Sequence, residues 1–432
     1  MRKTLLAGLI FSIFSGAAQA ENLSRIYEAA RAYDAQFNAA QATFRATQEK
    51  LPQARAALLP DLSAAANVTY NDFENTLPAN GDYTSYGWSV SAKQPIYRKR
   101  NFVAYEQAKQ QVTQATLVLS SAEQDLILRT ARAYFDVLLA QDALRFIQSQ
   151  KVAITEQLAS AKRNFEVGNA TITDAREAQA RYDLAVSQEI AAQNDLEVKR
   201  RALDTLTGTP AQKLAALNDR ATLPPPPADM KNWSEQAATS NLSVKIQQFN
   251  KSIADLEINR AKANYYPTLD AVASYNDTRN QNFGPTQIDS KAASLGVQLA
   301  IPIYQGGISS SLVREAMANQ ERAQRDLDNA NRNAILQTQR AYLNMTSAIA
   351  QVRALEQALL SSQASLDATR LGLEVGVRTN VDVLNAQQQL FSAKRDLASG
   401  RYNYILSVLD LKAAAGSLSA ADLQEIDRLL EK

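Results

Sequence analysis

The chain repeats itself once in a nearly constant register, and this constrains its fold more than any other feature. Ala56-Ala57-Leu58-Leu59-Pro60-Asp61-Leu62 returns as Ala263-Asn264-Tyr265-Tyr266-Pro267-Thr268-Leu269, and Gln94-Pro95-Ile96-Tyr97 returns as Ile301-Pro302-Ile303-Tyr304. The shifts from Pro60 to Pro267 and from Pro95 to Pro302 are both 207. Further on, Phe165-Glu166-Val167-Gly168 matches Leu373-Glu374-Val375-Gly376 and Gly208 matches Gly416, each at a shift of 208. A register that changes by one residue over such a distance means duplication of a whole structural unit, not a short motif recurring by chance. Residues 21–223 form the first repeat and 228–432 the second, with Pro224 to Pro227 between them as a stiff, extended linker.

Each copy changes periodicity along its length. The stretches from about Leu23 to Leu58 and from Lys231 to Tyr265 favour Ala, Gln, Arg and Glu and read as helices, with Pro52 the one interior proline. Alternation follows: Leu62, Ala64, Ala66, Val68 and Tyr70, then Trp88, Val90 and Ala92. The second copy has Leu269, Ala271, Ala273 and Tyr275, then Ala293, Leu295, Val297, Leu299 and Ile301. Period two predicts strands, at about 61–71, 85–95, 268–276 and 291–303, joined by polar loops from Asn71 to Ser85 and from Asn276 to Ser290. Long helical runs come next, about 101–165 and 309–373, each reaching roughly 100 Å at ~1.5 Å per residue. Tyr105, Ala108, Val112, Ala115, Leu119, Ala122 and Leu126 form an alanine-rich heptad seam, as do Val313, Ala316, Gln320, Ala323, Leu327, Ala330 and Ala334. The first seam loses phase near Arg129, which favours packing of several helices over a two-stranded rod. The fold class is mainly α with a small β part.

Composition removes most chemistry. With no histidine and no cysteine, a Ser-His-Asp triad, a cysteine nucleophile, a Cys/His zinc site and a ferritin-like di-iron site are all excluded; carboxylate-only metal sites remain possible, but no catalytic role, cofactor or metal is expected. The net charge of +2, with basic residues scattered along helices, gives no nucleic-acid patch. Residues 1–20 read as a secretory signal peptide: Arg2 and Lys3, an apolar core from Leu5 to Phe14, and Ala18-Gln19-Ala20 as cleavage site. No later apolar run reaches the ~18 residues of a spanning helix, so any membrane passage must use strands. Four strands of about ten residues are long enough to cross when tilted, but too few to close a barrel, and open edges are not tolerated in lipid. Closure would require several chains. Read alone, the strands fit a small soluble head on a helical bundle equally well, and a non-channel periplasmic or surface coiled-coil scaffold is the alternative function. An enzyme built on paired carboxylates is a distant third.

Both long helices run into a Val-Gly pair, and Gly168 and Gly376 read as helix stops. Thr171-Ile172-Thr173-Asp174 and Thr379-Asn380-Val381-Asp382 then have the spacing of a capping box, although aspartate replaces the usual Glu or Gln. Arg378 is a cation beside a helix N-terminus, where the macrodipole disfavours it, and the matching position in the first copy is Ala170. It therefore needs a partner.

Taken together, Leu58-Leu59-Pro60-Asp61-Leu62, Gln94-Pro95-Ile96-Tyr97, Leu299-Ala300-Ile301-Pro302-Ile303-Tyr304-Gln305-Gly306-Gly307, Phe165-Glu166-Val167-Gly168 and Val375-Gly376-Val377-Arg378-Thr379-Asn380-Val381-Asp382-Val383-Leu384 resemble motifs of the TolC family of outer-membrane efflux and secretion channels. Their order and duplication carry the resemblance over nearly the whole chain. It implies a homotrimer in the outer membrane, with a twelve-stranded β-barrel continued by a twelve-helix periplasmic α-barrel. It also implies a periplasmic adaptor and an inner-membrane transporter as partners, and passive conduction in multidrug efflux or type I secretion. On this resemblance Arg378 and Asp174 are a gate latch, with Leu373 standing where the archetype has a tyrosine. Asp382 lines the pore constriction, with Asn385 in place of a second acid. Three Asp382 carboxylates near one axis would favour cations and raise one another's pKa values. The tips at Val167, Gly168, Thr171, Val375, Gly376 and Thr379 are the implied adaptor-docking sites.

Overall fold

A computed structural model describes residues 21–73, 81–168, 171–210, 213–218, 223–224, 229–281 and 289–431. The expected signal peptide 1–20, Ala170 and Pro225 to Pro227 of the expected linker lie outside the described residues, as do the centres of both expected hairpin loops. In chain order come α1 (Leu23–Tyr33), α2 (Ala35–Gln48), α3 (Lys50–Ala56), β1 (Asp61–Phe73), β2 (Gly81–Tyr97), α4 (Lys99–Glu166) and α5 (Ile172–Thr207). The second half continues with α6 (Met230–Ser240), α7 (Leu242–Lys262), a 3-10 turn (Ala263–Tyr265), β3 (Thr268–Gln281), β4 (Asp289–Ala300), α8 (Ile308–Glu374), α9 (Asn380–Ala414) and α10 (Ala420–Asp427). The duplicated order of helices, hairpin, long helix and second helix is plain.

Two expectations need correction. The stretch 23–58 is not one helix, because Asp34 turns the chain (ψ 121) and its Oδ1 accepts the Phe37 N–H at 2.7 Å, starting α2. Residues 231–265 break likewise at Asn241 (ψ 130), whose Oδ1 accepts the N–H groups of Ser243 and Val244. Asp34 and Asn241 are themselves 207 apart, so the kink belongs to the duplicated unit. Short polar side chains that bond nearby backbone can divide a helix without any glycine or proline. The polar loops are also shorter than expected, because β1 runs to Phe73, β2 begins at Gly81, β3 runs to Gln281 and β4 begins at Asp289.

The chain divides into two compact units, each drawing on both repeats: 39–121 with 238–335, and the remainder of the described residues. The first of these holds an antiparallel sheet in the order β1-β2-β3-β4, so that β1 and β4 are its edges. Its register separates the two faces. One cross-strand row is Leu62, Ala92, Ala273 and Leu295, and the next is Ala64, Val90, Tyr275 and Ala293. Trp88 packs against Tyr275 on this apolar face with ring centroids 5.2 Å apart. The opposite face carries Ser63 and Ser91, whose hydroxyls are 2.8 Å apart, and Ser274 and Ser294 at the same distance. Leu62, Leu295 and Val297 are 73%, 86% and 66% exposed, so the apolar face is uncovered within one chain. At the end of the hairpin Arg98 grips Asp270 through Nε at 2.7 Å and Nη2 at 2.5 Å, fastening the first hairpin to β3. The helices α4 and α7 meet through amides: Gln107 Nε2 donates to Glu257 (2.8 Å) and Gln114 Nε2 to Asn250 (2.5 Å).

The other unit contains the larger core. The residues Leu126/Ile127, Thr130/Ala131, Tyr134/Phe135 and Val137/Leu138 of α4 are all buried, so the helix is enclosed on more than one side there. This is why the heptad seam loses phase near Arg129. The Tyr134 hydroxyl donates to the backbone oxygens of Ala215 (2.7 Å) and Glu21 (3.2 Å), and Phe135 stacks against Tyr402 at 5.4 Å. Small bridges Glu21↔Leu214 and Leu217↔Leu430 tie Glu21 and Leu430 to the segment around Leu214 and Leu217.

Candidate functional site: the helix tips

The α8–α9 turn is built by its glycines. Gly376 takes φ +78, a conformation that side chains with Cβ disfavour, and the N–H groups of Gly376 and Val377 close onto the oxygens of Leu373 (3.1 Å) and Gly372 (2.9 Å). That pairing satisfies the orphan carbonyls at the end of α8. The α4–α5 turn repeats the start of it, with Gly168 at φ +81 and its N–H on Phe165 oxygen at 3.0 Å. Both following helices open with the reciprocal box expected from sequence. The Thr171 N–H donates to Asp174 Oδ2 (3.0 Å) while the Asp174 N–H returns to Thr171 Oγ1 (3.3 Å). Thr379 and Asp382 do the same at 2.9 Å and 3.2 Å. Aspartate serves here although its side chain is one methylene shorter than glutamate.

Arg378 is exposed and forms no ion pair or side-chain hydrogen bond among the described residues. Its stem lies on α8: a Cβ on Gly372 would fall 2.7 Å from Arg378 Cγ, so a glycine at 372 makes room for it. Within one protomer Asp174 and Arg378 are not paired. In both cap aspartates only Oδ2 is engaged by the box, leaving Oδ1 without a hydrogen bond among the described residues. The Asp382 carboxyl is held below the ordinary carboxylate range, first by the Thr379 backbone N–H, then by its hydroxyl, with the nearby Arg378 adding to both. This opposes the upward push expected from three-fold crowding, which acts only between chains.

Leu373 is half-buried and packs with Leu366, Val383 and Leu390, so the position where the family archetype carries tyrosine contributes apolar packing between α8 and α9. Asn385 is not idle either: its Oδ1 accepts from Arg181 Nη2 on α5 at 2.9 Å. Beside it Leu384 is 3% exposed, seated among Ile154, Leu158 and Ala161 of α4 and Ala178 and Ala185 of α5. Val167 and Val375 are 69% and 66% exposed, and Thr171 and Thr379 are exposed too. Sequence reasoning missed Arg181 and Gly372. An interior helix glycine four residues before a helix-ending glycine was the available signal for the second; for Arg181 the only local signal was its i,i+4 pair with Glu177, since its partners on α9 lie in the other repeat.

A duplicated chain with a two-faced four-stranded sheet, two helices of 68 and 67 residues and a capped turn after each defines the class of outer-membrane channel-tunnels. The chain belongs to the outer membrane efflux protein family, whose model matches residues 26–209 and 233–417, one match in each repeat. It is 34% identical to outer membrane protein TolC of Vibrio cholerae over 427 residues, covering 98% of this chain and 97% of the relative. It is also 32% identical to the alkaline protease secretion protein AprF of Pseudomonas aeruginosa over 431 residues, 98% of this chain and 90% of the relative. Among solved structures, the CmeC outer membrane channel of Campylobacter jejuni matches with a TM-score of 0.80 at 16% identity, covering 95% of this chain and 90% of that one. The open state of the Neisseria gonorrhoeae MtrE outer membrane channel matches at 0.77 and 20% identity, covering 92% and 90%. These likenesses support the fold. The protein is an outer-membrane channel, not an enzyme, and a non-channel scaffold is not favoured.

Proposed function

We propose that three copies of the chain form a passive duct, twelve strands closing a barrel and twelve helices continuing it into the periplasm. A periplasmic adaptor docks at the exposed tips around Val167, Gly168, Thr171, Val375, Gly376 and Thr379, and an inner-membrane transporter supplies the cargo in multidrug efflux or type I secretion. The repeats 21–223 and 228–432, divided at 224–227, each contribute one hairpin and one helix pair, and residues 1–20 direct export. The observation that carries the assembly is the sheet: β1 and β4 are unpaired edges, and one face is apolar along the rows from Leu62 to Leu295 and from Ala64 to Ala293, so in lipid both edges must be closed by other chains.

The duct is gated at its periplasmic end. Arg378 reaches Asp174 of a neighbouring protomer and holds the tips together; the uncommitted guanidinium of Arg378 and the free Oδ1 of Asp174 support this, and the cap and the latch use different carboxylate oxygens. Asp382 supplies a ring of carboxylates at the constriction, and Asn385 leaves the next position uncharged. Purified protein in planar bilayers tests both levels. Cation-preferring channels are expected, with higher single-channel conductance in Arg378→Ala. Absence of channels would overturn the duct, and unchanged conductance in Arg378→Ala would overturn the latch.

A further inference from the structure

Arg181 lies on α5, two helical turns beyond the Asp174 cap. Its guanidinium spans to α9, donating through Nη2 to Asn385 Oδ1 at 2.9 Å and through Nη1 to Gln388 Oε1 at 3.3 Å. Glu177, one turn back on α5, accepts from Arg181 Nη2 at 3.0 Å and from Nε at 3.4 Å. Asn385 and Gln388 are three residues apart and therefore share a face of α9. One residue of the first repeat thus grips two residues of the second, and Glu177 holds the fork in that direction.

We propose that Arg181 is a positioning residue of the gate: an intraprotomer clamp that keeps α9 seated against α5 at the level just beyond the capped tips. The proposal rests on the gated-duct reading. Its position supports the role, because Asn385 adjoins Leu384, the α9 residue buried between α4 and α5. Moving α9 outward withdraws Leu384 from that seat and pulls Asn385 and Gln388 from Arg181 together. The chemistry supports it as well. Both acceptors on α9 are neutral amides, so each bond from the guanidinium depends more steeply on distance and angle than an ion pair does. Asn385 thereby has a positive role, since an amide there accepts from Arg181 without the stronger hold of a carboxylate.

The test compares single-channel recordings of the wild type, R181A, N385A, R181A/N385A, R378A and R181A/R378A. R181A is expected to shift the closed-to-open equilibrium by up to about tenfold toward open, the factor that 1.4 kcal/mol corresponds to. R181A/N385A should exceed R181A little, because both remove one link, whereas R181A/R378A should exceed either single variant. The chain has no cysteine, so R181C/Q388C bridged by a short bis-thiosulfonate reports on the same gap. Bridging should return the channel to the closed level and a reducing agent should reopen it. If R181A and the bridged pair match the wild type while R378A opens the channel, the clamp is overturned and the duct and latch stand. If no variant or wild type conducts, the duct reading falls and the clamp with it.

Discussion

Arg129 of α4 closes on Asp34 with both terminal nitrogens, Nη1 to Oδ2 at 2.9 Å and Nη2 to Oδ1 at 3.0 Å, while its Nε holds Asp125 at 2.7 Å. Asp34 is the residue that divides α1 from α2, so the kink in the N-terminal segment is pinned to the long helix where its seam changes phase. Asp34→Ala removes the α2 cap and the bidentate pair together and is expected to destabilise the fold by about 3 kcal/mol; Asp34→Asn, which can still accept from Phe37 N–H, by about half of that. Denaturant unfolding in detergent measures both, and an Asp34→Ala protein as stable as the wild type would contradict the assignment.

Acidification should loosen the tips. Asp382 is held low chiefly by the Thr379 backbone N–H, and Asp34 by its hydrogen bonds with Arg129. A carboxylate whose folded pKa is depressed stabilises the fold above its unfolded value of about 3.9, and that contribution is lost as pH falls through the lower folded value. Amide exchange at residues 380–383 should therefore stay slow down to about pH 4 and rise below it. In Asp382→Asn the exchange should be independent of pH over the same range, after correction for its intrinsic rate.

Restoring the missing hydroxyl should tighten the latch. Leu373 contributes packing with Leu366, Val383 and Leu390 but no hydrogen bond, so Leu373→Tyr adds a hydroxyl that can donate to a carboxylate of the latch. Mean single-channel conductance is expected to fall roughly two- to threefold, the effect of about one hydrogen bond. An increase instead would mean that the apolar packing matters more than the latch.

Two glycines with left-handed backbone should respond differently to a methyl group. Gly376, at φ +78, has open space where a Cβ would point, so Gly376→Ala is expected to cost about 1 kcal/mol from backbone strain alone. Gly208, at φ +71, would place its Cβ 2.5 Å from the Tyr33 ring, and Gly208→Ala should cost at least about 2 kcal/mol. Equal unfolding midpoints for the two variants would argue against the close approach of Tyr33.

Much of this protein is local, and the local part was legible. The register of the duplication marked Gly168 and Gly376 as stops, and Thr171 and Thr379 as caps, because each of these depends on backbone bonds a few residues long. The alternation of Leu62 to Tyr70 and of Ala293 to Ile301 identified strands whose two faces differ. The breaks at Asp34 and Asn241 escaped notice because neither residue is a glycine or proline; their effect comes from side chains that bend back onto the next amides.

The candidate site was legible only where its chemistry is local. Arg378 stood out as a cation at the wrong end of a helix, but the bed that Gly372 makes for its stem depends on the path of the turn. Asn385 read as a missing charge, and only its distance from Arg181, 204 residues away, shows an amide with a partner.

The sequence by itself determined two copies of one unit, with long helices, two-faced hairpins and capped tips, since periodicity and capping act within a few turns of chain. Tertiary structure decided which of those faces meet: Arg129 with Asp34, Leu384 between α4 and α5, and Arg181 with Asn385 and Gln388. Those pairings depend on how helices far apart in the chain are rotated about their own axes. A rotation of about 100° separates consecutive residues, and no local pattern specifies which residue then faces a distant helix.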